Sequence, residues 1–393
     1  MINKKRLIRL TQDLIRINSE NPPGDERAIA SFVARYLKKI GLKPKIYSFY
    51  KHRDNVLAVL KGERNRGSLL ITPHLDTVPA GKGWTFGPFS ATLSRGRIYG
   101  RGATDCKGNL AVALEALTSL AQDRVHLKND LIFLATADEE AGSGKGLIPL
   151  LEKNVVRPAF ALILDSDEFN IITAQKGLIH FKVRVSGRKA HGAYPERGVN
   201  AIEAAVKLIE LLKKIDLNAQ RHRLLKPPTV NIGTIRGGDK VNMVADWCDF
   251  EVDLRFLPGM EAQKILARIR KVFDKTKVRY QIRVNDIQQP YEIERNHPFI
   301  RCLKEAAQGV VRESKIKGSE GATVITFFKK KRIPAVATGT GACGCAHATD
   351  EYVRCYDLYR GAQVLERFIK IFDIRRFYQK LLSKAVEELI KKV

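Results

Sequence analysis

The chain of 393 residues contains no run approaching the roughly 18 consecutive apolar residues that identify a membrane-spanning helix. Its opening stretch, MINKKRLIRL, also lacks the apolar segment of a secretory signal. These absences argue against a helical membrane protein and a secreted one, and predict a cytoplasmic location with no membrane partner. Cysteine is sparse: Cys106, Cys248, Cys302, Cys343, Cys345 and Cys355 are too scattered for a disulfide framework, so free thiols are expected. Acidic residues are short of basic ones, 42 against 69, which leaves a formal charge of +27 and an attraction for anions. Even the KKKR run ending at Arg332 lacks interleaved aromatics, so no nucleic-acid partner is expected. There is neither an internal repeat nor a low-complexity segment. What is present, 44% hydrophobic residues over this length, is enough for a full core and two domains.

Strand and helix patterns alternate from the start, which predicts an α/β layer structure around a largely parallel sheet. Helical periodicity covers 4–17 and 25–40, and apolar strands follow at 56–60, 68–72, 131–137 and 159–164. From Gly177 the rhythm changes. A half-exposed strand at 179–185 leads to a helix at 200–214, strands at 229–235 and 248–256, a helix at 261–273 and a strand at 279–284. That βαββαβ order is the ferredoxin-like plan, and it predicts an inserted domain over 177–290, between catalytic parts at 1–176 and 291–393. The last part carries a helix at 298–308, a helix near 323–330, a strand at 335–338 and a terminal helix at 377–392.

Open α/β sheets bind ligands beyond the carboxyl ends of their strands, so polar residues just past the apolar runs are candidates. SLLITPHLD delivers His74 and Asp76, DLIFLATADEE delivers Glu139 and Glu140, and FALILD delivers Asp165. Asp105 stands in the turn YGRGATDCKGN, and His347 in the small-residue loop that starts at Gly339. Singly, each has an ordinary explanation as a helix cap or a hydrogen-bonded core group. Together they place two imidazoles and several carboxylates at one end of one sheet, a like-charge cluster that calls for cations. Imidazole and carboxylate without thiolate suit zinc, or cobalt and manganese, and two ions sharing a carboxylate would use every donor. Asp76, two residues past His74, is placed to fix that ring. Cys343 and Cys345 beside His347 offer a rival thiolate site, weakened by the lack of a second suitable pair nearby.

In order and spacing, PHLDTVP, GRGATDCKG, ATADEEAGSG, SGRKAHGAYPERGVNA, GGDKVNMVADWCDFEVDLR and AHATDEY resemble the di-zinc amidohydrolase and peptidase family of aminoacylase, acetylornithine deacetylase, succinyl-diaminopimelate desuccinylase and the glutamate-releasing carboxypeptidase. The resemblance covers nearly the whole chain. It implies a zinc-dependent exopeptidase-like catalytic domain with an inserted ferredoxin-like domain that forms a homodimer interface. It further implies Asp105 as the carboxylate shared by two Zn2+, His74 and Asp165 completing one site, Glu140 and His347 the other, and Glu139 as general base. By the same resemblance His191 supplies an oxyanion donor to the partner subunit's site, Arg255 and Asn242 recognise a substrate carboxylate, and Gly339 and Gly341 leave room for backbone near the substrate. Asp165 stands where many members have Glu, Thr340 where proline is frequent, and SEGATV lacks a familiar Thr-Asp pair. The implied activity is hydrolysis of the amide bond of an N-acyl amino acid. Dipeptidase or carboxypeptidase action is the enzymatic alternative, and a non-catalytic binding relative the other.

Overall fold

The computed structural model describes residues 1–379 apart from 167, 218 and 378. Two compact units emerge, one made of Met1–Thr173, Ile293–Lys317 and the described residues from Phe327 onward, the other of Ala174–Glu292 and Gly318–Thr326.

In the first unit the strands lie in the order Lys45–Ser48, Asp54–Leu60, Asn129–Ala135, Arg64–Thr72, Phe160–Leu164 and Ala335–Thr338. The last four run parallel to one another, while the first two join antiparallel at one side. A parallel core needs helices on both faces, which explains why Phe160–Leu164 is buried at every residue. Helix Lys107–Gln122 is buried on nearly all sides between its neighbours Lys4–Arg16 and Cys355–Ile371, and its Gly, Ala and Ser residues allow that close approach. Phe160 anchors one end of the core, in ring contact with Phe299, Phe372 and Phe377. A small antiparallel sheet of Thr92–Ser94, Arg97–Tyr99 and Tyr352–Arg354 ties the loop after residue 339 to the turn that contains Asp105.

The second unit is a four-stranded antiparallel sheet in the order Thr229–Gly237, Trp247–Phe256, Gly177–Ser186, Arg279–Gln288. Numbered along the chain this is 2-3-1-4, the ferredoxin-like arrangement. Ile179, Phe181, Val183 and Val185 alternate inward and share one core with the buried sides of helices Ala201–Lys213 and Ala262–Asp274. The segment Gly318–Thr326 also belongs to this unit, held by Lys176 N–H to Ser319 O and by the Gln175 side chain to Thr323. The boundaries read from the sequence, 177–290, did not include it.

All six cysteines are free thiols. Among the described residues no helix is long and apolar enough to cross a membrane. The helix expected at 377–392 lies, from residue 380, outside the described residues.

Candidate active site

Where the parallel strands end, their following turns converge. His74 follows Arg64–Thr72, its ring 2% exposed, with Nδ1 2.9 Å from the Asp76 carbonyl and Nε2 2.8 Å from Asp105 Oδ1. The other Asp105 oxygen, Oδ2, is 3.2 Å from His347 Nε2, and that same nitrogen is 3.2 Å from Glu140 Oε2. Asp105 thus stands between two imidazoles that are remote from each other in the chain. Asp165 Oδ1 lies 3.9 Å from His74 Nε2. Ligand-type atoms gather within 4.8 Å of one another in the groups His74/Glu139/Asp165, Asp105/Glu140/His347 and His74/Asp105/Cys106.

The electrostatics show how much positive charge this cluster calls for. Burial and then the Asp105 charge push Asp165 up to about 7, and burial followed by Asp165 raises Glu139 well above the carboxylate range. Hydrogen bonds donated to Asp105 and Glu140 lift His347 to about 10 against the cost of burial. Burial disfavours charge on Asp105, yet His347 and His74 hold its carboxyl well below the usual range. Glu140 Oε1 is buried with no hydrogen-bond partner among the described residues. Divalent ions fit this donor set: carboxylates that repel one another, imidazoles aimed at them and an orphaned carboxylate oxygen.

Two backbone turns hold the cluster. Asp138, at φ +65°, closes the tight turn after Asn129–Ala135, its carbonyl accepting the Ser143 N–H at 2.6 Å. The Asp76 carboxylate accepts the backbone N–H of Glu139 at 3.0 Å and of Glu140 at 3.1 Å. Its oxygen stays 3.6 Å from the His74 ring, so Asp76 orients that ring through its main chain and spends its side chain on the acidic turn. Glu351 does the same for the second turn, accepting N–H groups of Gly102, Thr104 and Asp105. Arg101, buried beside it, pairs with Glu351 at 2.6 Å and reaches the His347 carbonyl. Sequence reasoning missed Glu351 and Arg101, although both stand inside the motifs quoted for other residues. It also missed Cys106, whose Sγ accepts the His74 N–H at 3.1 Å. Burial pushes that thiol up to about 12, which keeps it neutral.

Gly339 and Gly341 face protein. A Cβ on Gly339 would lie 2.1 Å from the Ser166 carbonyl oxygen, and one on Gly341 2.6 Å from Thr104 Cγ2. Among the described residues, none of the ligand groups includes Cys343 or Cys345. In the second unit His191 is exposed beside Asn242, with Gly192 N–H bonded to the Asn242 carbonyl at 2.9 Å. The Ala193 N–H donates to His191 Nδ1 at 3.0 Å, which leaves the proton on Nε2. Arg255 holds Asp253 with two bonds, 2.7 and 3.0 Å.

A carboxylate between two histidines, at the carboxyl ends of a parallel sheet, defines a metallohydrolase-type centre. The description "Peptidase family M20/M25/M40" matches residues 70–371. Acetylornithine deacetylase of Proteus mirabilis (strain HI4320) is 31% identical over 343 residues, spanning 83% of this chain and 85% of the relative. That of Pasteurella multocida (strain Pm70) is 28% identical over 372 residues, 91% and 94% of the two chains. Among solved structures, aminopeptidase PepT from Bacillus cereus superposes with a TM-score of 0.78 at 23% identity, over 94% of this chain and 98% of its own. An M20 family metallo-carboxypeptidase from Sulfolobus solfataricus gives 0.78 at 21% identity, over 93% and 98%. The chain belongs to peptidase family M20/M25/M40, and is a metal-dependent hydrolase of amide bonds.

Proposed function

We propose that the chain deacylates N-acyl amino acids, as its acetylornithine deacetylase relatives are named for doing. The observation that carries this reading is Asp105, one oxygen 2.8 Å from His74 and the other 3.2 Å from His347. His74, Asp165 and Asp105 would hold one ion, and Asp105, Glu140 and His347 a second, with zinc best suited to imidazole and carboxylate and cobalt or manganese next. Bound there, such a pair supplies Lewis acidity and a lowered pKa for water.

Glu139 lies within 4.8 Å of the ligand atoms of His74 and Asp165, beside the first ion site, and in this reading it carries a proton instead of holding that ion. Burial and the neighbouring Asp165 raise its pKa, which favours holding a proton that it can return to the leaving amine. His191 presents a proton on Nε2 from an exposed ring, the form required of an oxyanion donor. Arg255 and Asn242 would bind the substrate carboxylate, Arg255 through Nη1, the guanidinium nitrogen that its two bonds to Asp253 do not use. Gly339 and Gly341, packed on Ser166 and Thr104, would seat the 339–347 loop beside the substrate. The proposed assembly is a cytoplasmic homodimer acting on small molecules, with no role for nucleic acid or membrane. Exposed apolar residues on the inserted unit, Ile202, Val206 and Ile235, support a self-association surface.

The test is hydrolysis of a panel of N-acetyl and N-succinyl amino acids and dipeptides by zinc-loaded protein. Acyl amino acids should be cleaved fastest. Preference for dipeptides would turn the reading to a peptidase, and no turnover of any compound would sink both.

A further inference from the structure

Behind the acidic turn lies a buried charged group with no part in the ligand set. Arg53 is 4% exposed, and it faces two buried acids, Glu26 at 0% and Asp138 at 2% exposed, with a third, Asp76 at 0%, reached through Asn21. Its Nη1 donates to Glu26 Oε1 at 2.5 Å. Its Nη2 donates to Asn21 Oδ1 at 2.9 Å and to the Pro23 carbonyl at 3.2 Å, and lies 3.3 Å from Asp138 Oδ1. Asn21 then donates from Nδ2 to Asp76 Oδ2 at 2.9 Å, and that carboxylate receives the N–H groups of Glu139 and Glu140. The space for the guanidinium is reserved, since a Cβ on Gly24 would lie 1.8 Å from Nη1.

We propose that Arg53 is a positioning residue for Glu139 and Glu140, acting through Asn21 and Asp76. An amide side chain has two faces of opposite polarity. By donating to Asn21 Oδ1, Arg53 compels Nδ2 to face Asp76, and so keeps both Asp76 oxygens available to the turn. The same cation offsets charges on Glu26, Asp76 and Asp138 that otherwise repel one another in a buried space. A lysine cannot replace it, because one ammonium lacks the planar fork that reaches Glu26, Asn21 and Asp138 together.

This inference rests on the di-metal reading of the site, and the experiment separates the two. Apo full-length protein is titrated calorimetrically with Zn2+ and followed by Co2+ absorption, for wild type, Arg53→Met, Arg53→Lys and Asn21→Leu. Steady-state kinetics and thermal midpoints are measured on the same samples. The wild type should bind two ions. In Arg53→Met one of the two binding events should weaken about 10–100-fold, the scale for losing a group that orients a ligand, with kcat falling similarly and KM nearly constant. Arg53→Lys should recover little. Asn21→Leu keeps the Arg53–Glu26 pair, so it covers the case in which Arg53→Met does not fold, and it should show the same loss of ion affinity and kcat with a smaller drop in midpoint. Wild-type ion affinity and kcat in folded Asn21→Leu or Arg53→Met would overturn the positioning role. A wild type that takes up fewer than two ions would overturn the di-metal reading, and this inference with it.

Discussion

Neighbouring acids at the tip of one strand fall into separate ligand-type groups. Glu140 joins Asp105 and His347, while Glu139 sits with His74 and Asp165, and one carboxylate, Asp76, sets the backbone of both. Glu139→Gln keeps the shape and removes the titrating proton. It should lower kcat about 10²–10⁴-fold, with two ions still counted by elemental analysis. An active Glu139→Gln would falsify the proton-carrying role. Glu351→Gln replaces an acceptor oxygen with a donor facing N–H groups, so it should cost about 1–3 kcal/mol in urea unfolding. Lys107 offers a pH test. Burial pushes its ammonium down to about 7 from an ordinary 10.5, against the pull of Glu351 and Glu20. Between those two values the unfolded chain binds the extra proton, so this group makes stability rise with pH across the window. In chelator-treated protein, that rise should be smaller in Lys107→Met than in wild type; equal slopes would refute it.

Elements matter here for where they stop. The four parallel strands end on one edge, and each hands its next turn to the site, so apolar runs closed by His, Asp or Glu are legible in the sequence itself. The turns are less legible. Their stability comes from partners such as Glu351, which lies 246 residues from Asp105, a spacing that no local pattern encodes. Cys106 and Arg101 are hidden for a related reason: each acts on a backbone atom of another segment, and any sequence can offer a backbone atom. The 339–347 loop is clamped by Asn109, whose Oδ1 accepts the Thr340 N–H at 2.8 Å, and by the close approach of Gly339 to Ser166. Gly339→Ala should therefore overpack that contact, cost about 1–3 kcal/mol in thermal unfolding and weaken the ion held through His347. A variant with wild-type midpoint and ion affinity would show that the loop has slack.

At the scale of the whole molecule, the chain is divided between a unit that carries every proposed ion ligand and an inserted unit that carries His191, Asn242 and Arg255. If the inserted unit mediates a homodimer, Val206→Glu, at a side chain 46% exposed, should shift sedimentation toward the monomer. Loss of activity in that monomer, with ions retained, would be expected if His191 serves the partner subunit's site; full activity would exclude it. Periodicity and composition are sufficient for the two architectures and their order, because burial imposes a period of two on strands and of 3.6 on helices. The residue types for metal chemistry are legible too, since only a few side chains can ligate an ion. Folding alone decides which carboxylate oxygens face which imidazole, that Asp76 serves the acidic turn, and that Arg53 stands behind it. Those choices depend on distances between segments remote in sequence, and such distances exist only once the sheet has closed its strands side by side.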